Sequence, residues 1–115
     1  MKQFEIYSWQ PPNWPEPHPC VIISHPDRAA RKPEVEVLLC ASQNAKRQPE
    51  PHEIILDQED GLDWQTLCKC DLIYAVNRKA LGQKRGEVIQ SRRQHLLRTV
   101  IGAHFWGETL AGAAR

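Results

Sequence analysis

Leu67-Cys68-Lys69-Cys70-Asp71-Leu72-Ile73-Tyr74 is the stretch on which the fold turns. Successive side chains of an extended strand point to opposite faces, so Cys68, Cys70, Leu72 and Tyr74 are predicted on one side and Lys69 and Asp71 on the other. One face is fit for burial and one for solvent, and the strand is expected to run from Leu67 to Val76. Upstream, Phe4 to Trp9, Cys20 to Ser24, Val35 to Ser42 and His52 to Leu56 have the same apolar or β-branched character and are bounded by turn-forming residues. The loop from Gln10 to Pro19 carries five of the nine prolines, at 11, 12, 15, 17 and 19, which makes it stiff and extended. His25 to Pro33 and Gln43 to Pro51 are expected to be polar connections, and Gln58 to Gly61 a turn.

Downstream, a polar turn from Gly82 to Gly86 leads to a short last strand, Glu87 to Gln90. A helix is predicted next. Ser91 stands three residues before Gln94 as a capping box would place them, and Leu96, Leu97, Val100, Ile101 and Phe105 recur at helical spacing, a stripe expected to pack on the sheet. Residues 1–106 should form a single domain, with 107–115 a flexible tail. The fold class that follows is mainly β: five to six short strands in a strongly bent sheet or partly open barrel, with a C-terminal α-helix.

At 115 residues there is room for one modest core. Fifteen Lys and Arg against fourteen Asp and Glu leave a formal charge of +1, so any polyanion site must be a local patch. Hydrophobic residues at 41% and charged residues at 25% argue against a disordered chain. The segment MKQFEIYSW lacks an apolar signal core, and no apolar run approaches the ~20 residues of a membrane span. The four cysteines, at 20, 40, 68 and 70, sit in strand-like runs and are expected to be reduced, in a cytoplasmic protein without membrane association.

Lys69 and Asp71 place a cation and a carboxylate two residues apart on one face, close enough to act on a single ligand; a solvated ion pair worth ~0–1 kcal/mol would look the same. Cys68-x-Cys70 puts two sulfurs on one face, but structural zinc prefers turn knuckles, so no metal or other cofactor is expected. Cysteines in apolar strands are normally inert packing residues. Trp9 and Trp14 flank the proline loop and could stack on unpaired bases or close the core. Lys84, Arg85, Arg92, Arg93 and Arg98 form the local basic concentration, suited to phosphate contacts or simply solvated. His52, at a strand start beside Glu53, reads as structural.

Taken in order, the first strand, the loop ending Glu16-Pro17-His18-Pro19, the strands from Cys20 and Val35, Pro51-His52-Glu53-Ile54-Ile55, Gly61-Leu62 and Lys69-Cys70-Asp71 resemble the MazF/PemK/Kid toxins of bacterial type II toxin–antitoxin systems. The resemblance runs over residues ~3–105, within ordinary boundary error. It implies an SH3-like barrel, a homodimer, and metal-independent endoribonuclease activity on single-stranded mRNA, held in check by an antitoxin protein. Asp71, with Cys70 before it, falls where the PemK/Kid branch has its catalytic Asp. Lys69 stands in place of that branch's catalytic Arg, keeping the charge but losing the planar fork that grips phosphate bidentately. His18 stands in place of the Arg of an Arg-Pro pair, and Ser42 in place of a Thr that contacts the scissile phosphate. Leu72 replaces a Gln, and Phe4-Glu5-Ile6 replaces Gly-Glu-Ile.

Cleaving RNA through its own 2′-hydroxyl needs a base, a proton donor for the departing 5′-oxygen, and positive charge on the transition state. The roles that follow are Asp71 as base, Lys69 as charge, His18 as acid and Ser42 as a hydrogen-bond donor to phosphate, with Trp9, Trp14, Lys84 and Arg85 holding RNA. Two other outcomes remain open: a relative without catalysis that binds a protein partner, or a toxin resembling the gyrase poison CcdB, for which Thr99 to Trp106 would supply the contact.

Overall fold

The computed structural model describes residues 1–42 and 48–105, with the side chains of Ser42 and Phe105 left out. The expected 107–115 tail, and Trp106, lie outside the described residues. Six strands form one antiparallel sheet in the order β4-β5-β3-β2-β1-β6. They are β1 (Glu5–Trp9), β2 (His18–Ile22), β3 (Glu34–Ser42), β4 (Glu53–Leu56), β5 (Thr66–Asn77) and β6 (Lys84–Glu87); helices α1 (Pro26–Arg31) and α2 (Gln90–Phe105) complete the fold. The sheet curls into a half-barrel that stays open between β4 and β6.

Both faces of the central strands are covered, which is why β2 and β3 read as near-continuous apolar runs. Ile6, Val21, Leu38, Cys40, Ile54, Cys68 and Cys70 point into the barrel and meet Leu96 and Val100 of α2. Trp9, Cys20, Ile22, Val35, Val37 and Val76 point the other way and are capped by Ala29 of α1. Burying a side chain of Leu, Ile or Val size contributes roughly 1.5–3 kcal/mol, so these two layers carry most of the fold's stability.

The open seam is drawn together by close backbone contact. The 3-10 turn Gln58–Asp60 after β4 lies against β6, and a Cβ on Gly86 would fall 2.0 Å from the Asp60 carbonyl oxygen. Only glycine permits that approach. Asp60 then ties the turn to the helix: its Oδ1 accepts the Ile89 N–H at 2.9 Å, its Oδ2 accepts the Asp57 N–H at 2.9 Å, and Arg92 pairs with both Asp60 and Asp57.

Four local expectations are corrected. The connection from His25 to Pro33 contains α1, too short to show a helical stripe; Pro26 opens it and His25 Nδ1 accepts the Asp27 N–H at 3.2 Å. The last strand is Lys84–Glu87, not Glu87 to Gln90, because pairing with β1 selects a polar segment that has no apolar signature. The helix consequently starts at Gln90, leaving Ser91 inside its first turn instead of capping it. Ile101 is 54% exposed, so among the described side chains the packed stripe is Leu96, Leu97 and Val100, the expected Phe105 side chain lying outside them.

Phe4 holds φ at +75°, a conformation that favours glycine, at the position to which the resemblance gives Gly. Its N–H donates to the Ile22 carbonyl at 2.7 Å, the Val88 N–H donates to the Phe4 carbonyl at 2.9 Å, and the Arg93 guanidinium sits 5.0 Å from the Phe4 ring centre.

Two stability outcomes follow. Gly102 lies in α2 with open space around the position of a Cβ, so Gly102→Ala should stabilise by about 0.5–1 kcal/mol and raise the melting midpoint by a few degrees in a thermal melt. Hydrogen bonds from Arg92 hold the Asp57 carboxyl below its usual range. A depressed carboxylate stabilises the fold above its unfolded value of ~3.9 and loses that contribution as pH falls through the lower folded value. Melting midpoints should therefore hold down to about pH 5 and decline below about pH 4, with a shallower decline in Asp57→Asn.

Candidate active site

In the first half of β5 the two faces separate as the alternation demands. Cys68 and Cys70 are fully buried, while Lys69 and Asp71 are exposed. Backbone pairing fixes this register from the β4 side, where Glu53 lies opposite Lys69, Ile54 lies opposite Cys68, and the Cys70 N–H donates to the His52 carbonyl at 2.9 Å.

The β3 side is irregular. Cys40 pairs with Cys68 and Leu38 with Ile73, so the single residue Leu39 faces the four residues from Lys69 to Leu72. The extra length makes β5 bow outward at the point where the charged residues lie. It also corrects the simple alternation, since Leu72 leaves the thiol face and is 51% exposed.

The bow opens a groove of about 340 Å³ lined by Trp14, Leu39, Cys40, Ala41, Lys69, Asp71, Leu72 and Tyr74. Trp14 reaches it from the proline loop. A turn with Asn13 at φ +69° carries it there, closed by the Trp14 N–H donating to the Pro11 carbonyl at 3.1 Å and by Gln10 Nε2 donating to the Trp14 carbonyl at 2.8 Å. An ammonium, a carboxylate and an indole thus share one concave surface.

His18 is placed elsewhere. It lines a neighbouring hollow of about 190 Å³ with Glu16, Trp64, Thr66 and Arg85 among others. The Trp14 ring stands edge-on to the His18 ring at 4.9 Å between centres and is the side chain that links the two spaces. The His18 Nδ1 is buried without a hydrogen-bond partner among the described residues. Ser42 ends β3 opposite Thr66, and its side chain lies outside the described residues.

The other expected RNA contacts divide. Trp9 is 8% exposed and packs edge-on against Tyr74 at 5.2 Å, the core role that its position also allowed. Lys84 pairs with Glu5 at 2.7 Å and Glu87 at 3.2 Å, and Arg85 lies 3.5 Å from Asp63. Arg92 and Arg93 likewise face carboxylates of this chain. Arg98 instead lines a third hollow, of about 720 Å³, with Pro51, His52, Asp71, Thr99, Gly102 and Ala103.

Asp71 therefore borders two spaces, and beside it stands His52, which matches a family position in the resemblance but reads from the sequence as structural. His52 Nε2 lies 3.7 Å from Asp71 Oδ2, both half-exposed. Only the pairing of β4 with β5 reveals this, since 19 residues separate the two in sequence. Trp64, 49% exposed beside His18 and Arg85, was missed for the same reason.

All four thiols are free and buried. Burial pushes Cys20 up to about 12, and the Cys40 thiol beside Cys68 raises that group well above its usual value, so neither supplies a thiolate at neutral pH.

The family model of the PemK-like, MazF-like toxin of type II toxin–antitoxin systems matches residues 2–104. The chain belongs to that family. Among solved structures, an endoribonuclease from a mycobacterial species, in complex with its cognate antitoxin, superposes with a TM-score of 0.77 at 17% identity, over 90% of this chain and 93% of its own. The Mycobacterium tuberculosis toxin MazF-mt6 gives 0.73 at 18% identity, over 86% and 94%. A chain of the MazE-MazF complex from Deinococcus radiodurans gives 0.71 at 9% identity, over 93% and 95%. At such identities the likeness establishes the toxin fold and leaves the chemistry to this chain's own residues. No curated protein sequence matches. Among the described residues, no helix is long and apolar enough to cross a membrane.

Proposed function

We propose that this toxin-family protein is an endoribonuclease that cleaves single-stranded mRNA in the cytoplasm without a metal, using the groove of Lys69, Asp71 and Trp14. The carrying observation is that Lys69 and Asp71, which the resemblance sets at the family's catalytic pair, line one groove beside buried thiols. Asp71 takes the proton of the 2′-hydroxyl, Lys69 neutralises the phosphate, and Trp14 offers a stacking face for a neighbouring base.

The partners proposed are single-stranded RNA as substrate, a second copy of the chain as a homodimer, and an antitoxin as inhibitor. A complex with a cognate antitoxin in a structural neighbour supports the last of these. An acidic antitoxin segment laid along the groove would meet Lys69 and displace RNA from it.

Incubating purified protein with mixed-sequence RNA in excess chelator tests the reading. New 5′-hydroxyl ends are expected. Intact RNA together with arrested growth would point to a protein target, and intact RNA with normal growth to a binding module.

A further inference from the structure

Among the described residues, the groove is lined by a carboxylate, an ammonium and an indole but by no imidazole. An imidazole to protonate the leaving group would stand beside the groove. Three imidazoles are near: His18 behind Trp14, His52 against Asp71, and His104, whose Nε2 is engaged 2.9 Å from the Cys70 carbonyl oxygen.

We propose that His52 is a catalytic residue, the proton donor to the departing 5′-oxygen; this rests on the endoribonuclease reading above. Three observations carry it. The first is anchorage: the His52 carbonyl accepts the Cys70 N–H at 2.9 Å, which fixes the residue beside position 71. The second is the 3.7 Å between His52 Nε2 and Asp71 Oδ2, with both groups half-exposed and so open to substrate. The third is the shape of the surface, in which Asp71 borders both the groove with Lys69 and the hollow with His52 and Arg98. A strand crossing Asp71 passes from one space to the other.

In the step, the 2′-oxygen bonds to phosphorus as the bond from phosphorus to the 5′-oxygen breaks. The 2′-hydroxyl proton goes to Asp71, and the 5′-oxygen takes a proton from the His52 ring. The products are a 2′,3′-cyclic phosphate and a 5′-hydroxyl. Asp71 is then protonated and His52 neutral; across their short separation the proton returns directly or through one water, which resets the pair. Arg98 can hold a phosphate of the leaving strand. Among the described residues, the other charged or titratable groups around His52 are Lys69 on β5, Glu50 and Glu53 beside it, and His104 on α2, whose Nε2 lies 2.9 Å from the Cys70 carbonyl oxygen.

The test is single-turnover cleavage across pH in chelator, with folding checked by circular dichroism. His52→Gln should slow cleavage ~100-fold or more at neutral pH, by far more than His18→Gln, and should remove one limb of the pH profile. Added imidazole should partly restore His52→Ala. Gly102→Phe, placed in open space on the wall of the same hollow, should fold and cleave slowly. Cleavage by His52→Gln within about threefold of wild type, or a loss no larger than that of His18→Gln, would overturn the assignment. Intact RNA with the wild type would instead overturn the reading beneath it.

Discussion

Asp71→Asn should reduce RNA cleavage by ~10²- to 10⁴-fold, the range that general acid–base groups contribute, while leaving the fold in place. The size of the effect comes from chemistry and its selectivity from location. The amide has nearly the carboxylate's shape but cannot take the 2′-hydroxyl proton. Asp71 is exposed and faces its groove from a strand whose neighbours Cys70 and Cys68 do the packing, so little stability rests on it. Gel-based cleavage assays beside thermal melts check both halves. Substantial residual cleavage by a well-folded variant would remove Asp71 from the role of base.

The largest stability effect is expected at Arg92, far from the groove. The Asp60 side chain is fully buried, and its partners are the Ile89 and Asp57 N–H groups and the Arg92 guanidinium. Arg92 also pairs with Asp57 at 2.9 Å and reaches Glu59 at 3.7 Å. Arg92→Ala leaves a buried carboxylate without its counter-charge, a change that typically costs ~3–5 kcal/mol. Against a total stability of roughly 5–15 kcal/mol, the melting midpoint should drop by about 10 °C or more. Adding Asp60→Ala should cost much less than the sum of the two single changes, because the stranded charge is then gone. Additive losses would mean that the two side chains act independently.

Much of the architecture was legible where apolar periodicity is strong. The strands around Val21, Val37 and Cys68 and the helix through Leu96 all fall within a few residues of their expected places. Elements held by tertiary pairing alone escaped. β6 is Lys-Arg-Gly-Glu, which no propensity marks as a strand; it exists because β1 offers an unpaired edge and Gly86 admits the Asp60 backbone. The same division applies to the site. Lys69 and Asp71 were readable because a two-residue alternation reports which face each side chain takes. The outward turn of Leu72 was not, because a bulge depends on the partner strand as much as on β5. Trp64 was out of reach, and His52, although quoted in the resemblance, read as structural, for a similar reason: their significance lies in which segments the sheet brings together.

If the groove cuts RNA by activating the substrate's own 2′-hydroxyl, removing that one oxygen must stop the reaction even where binding persists. The decisive measurement compares an RNA oligonucleotide cut by the protein in excess chelator with the same oligonucleotide carrying a single 2′-deoxy nucleotide on the 5′ side of the cut. The account predicts rapid cleavage of the first, leaving a 5′-hydroxyl end, and none of the second. Cleavage of both at similar rates, or a 5′-phosphate on the product, would contradict it.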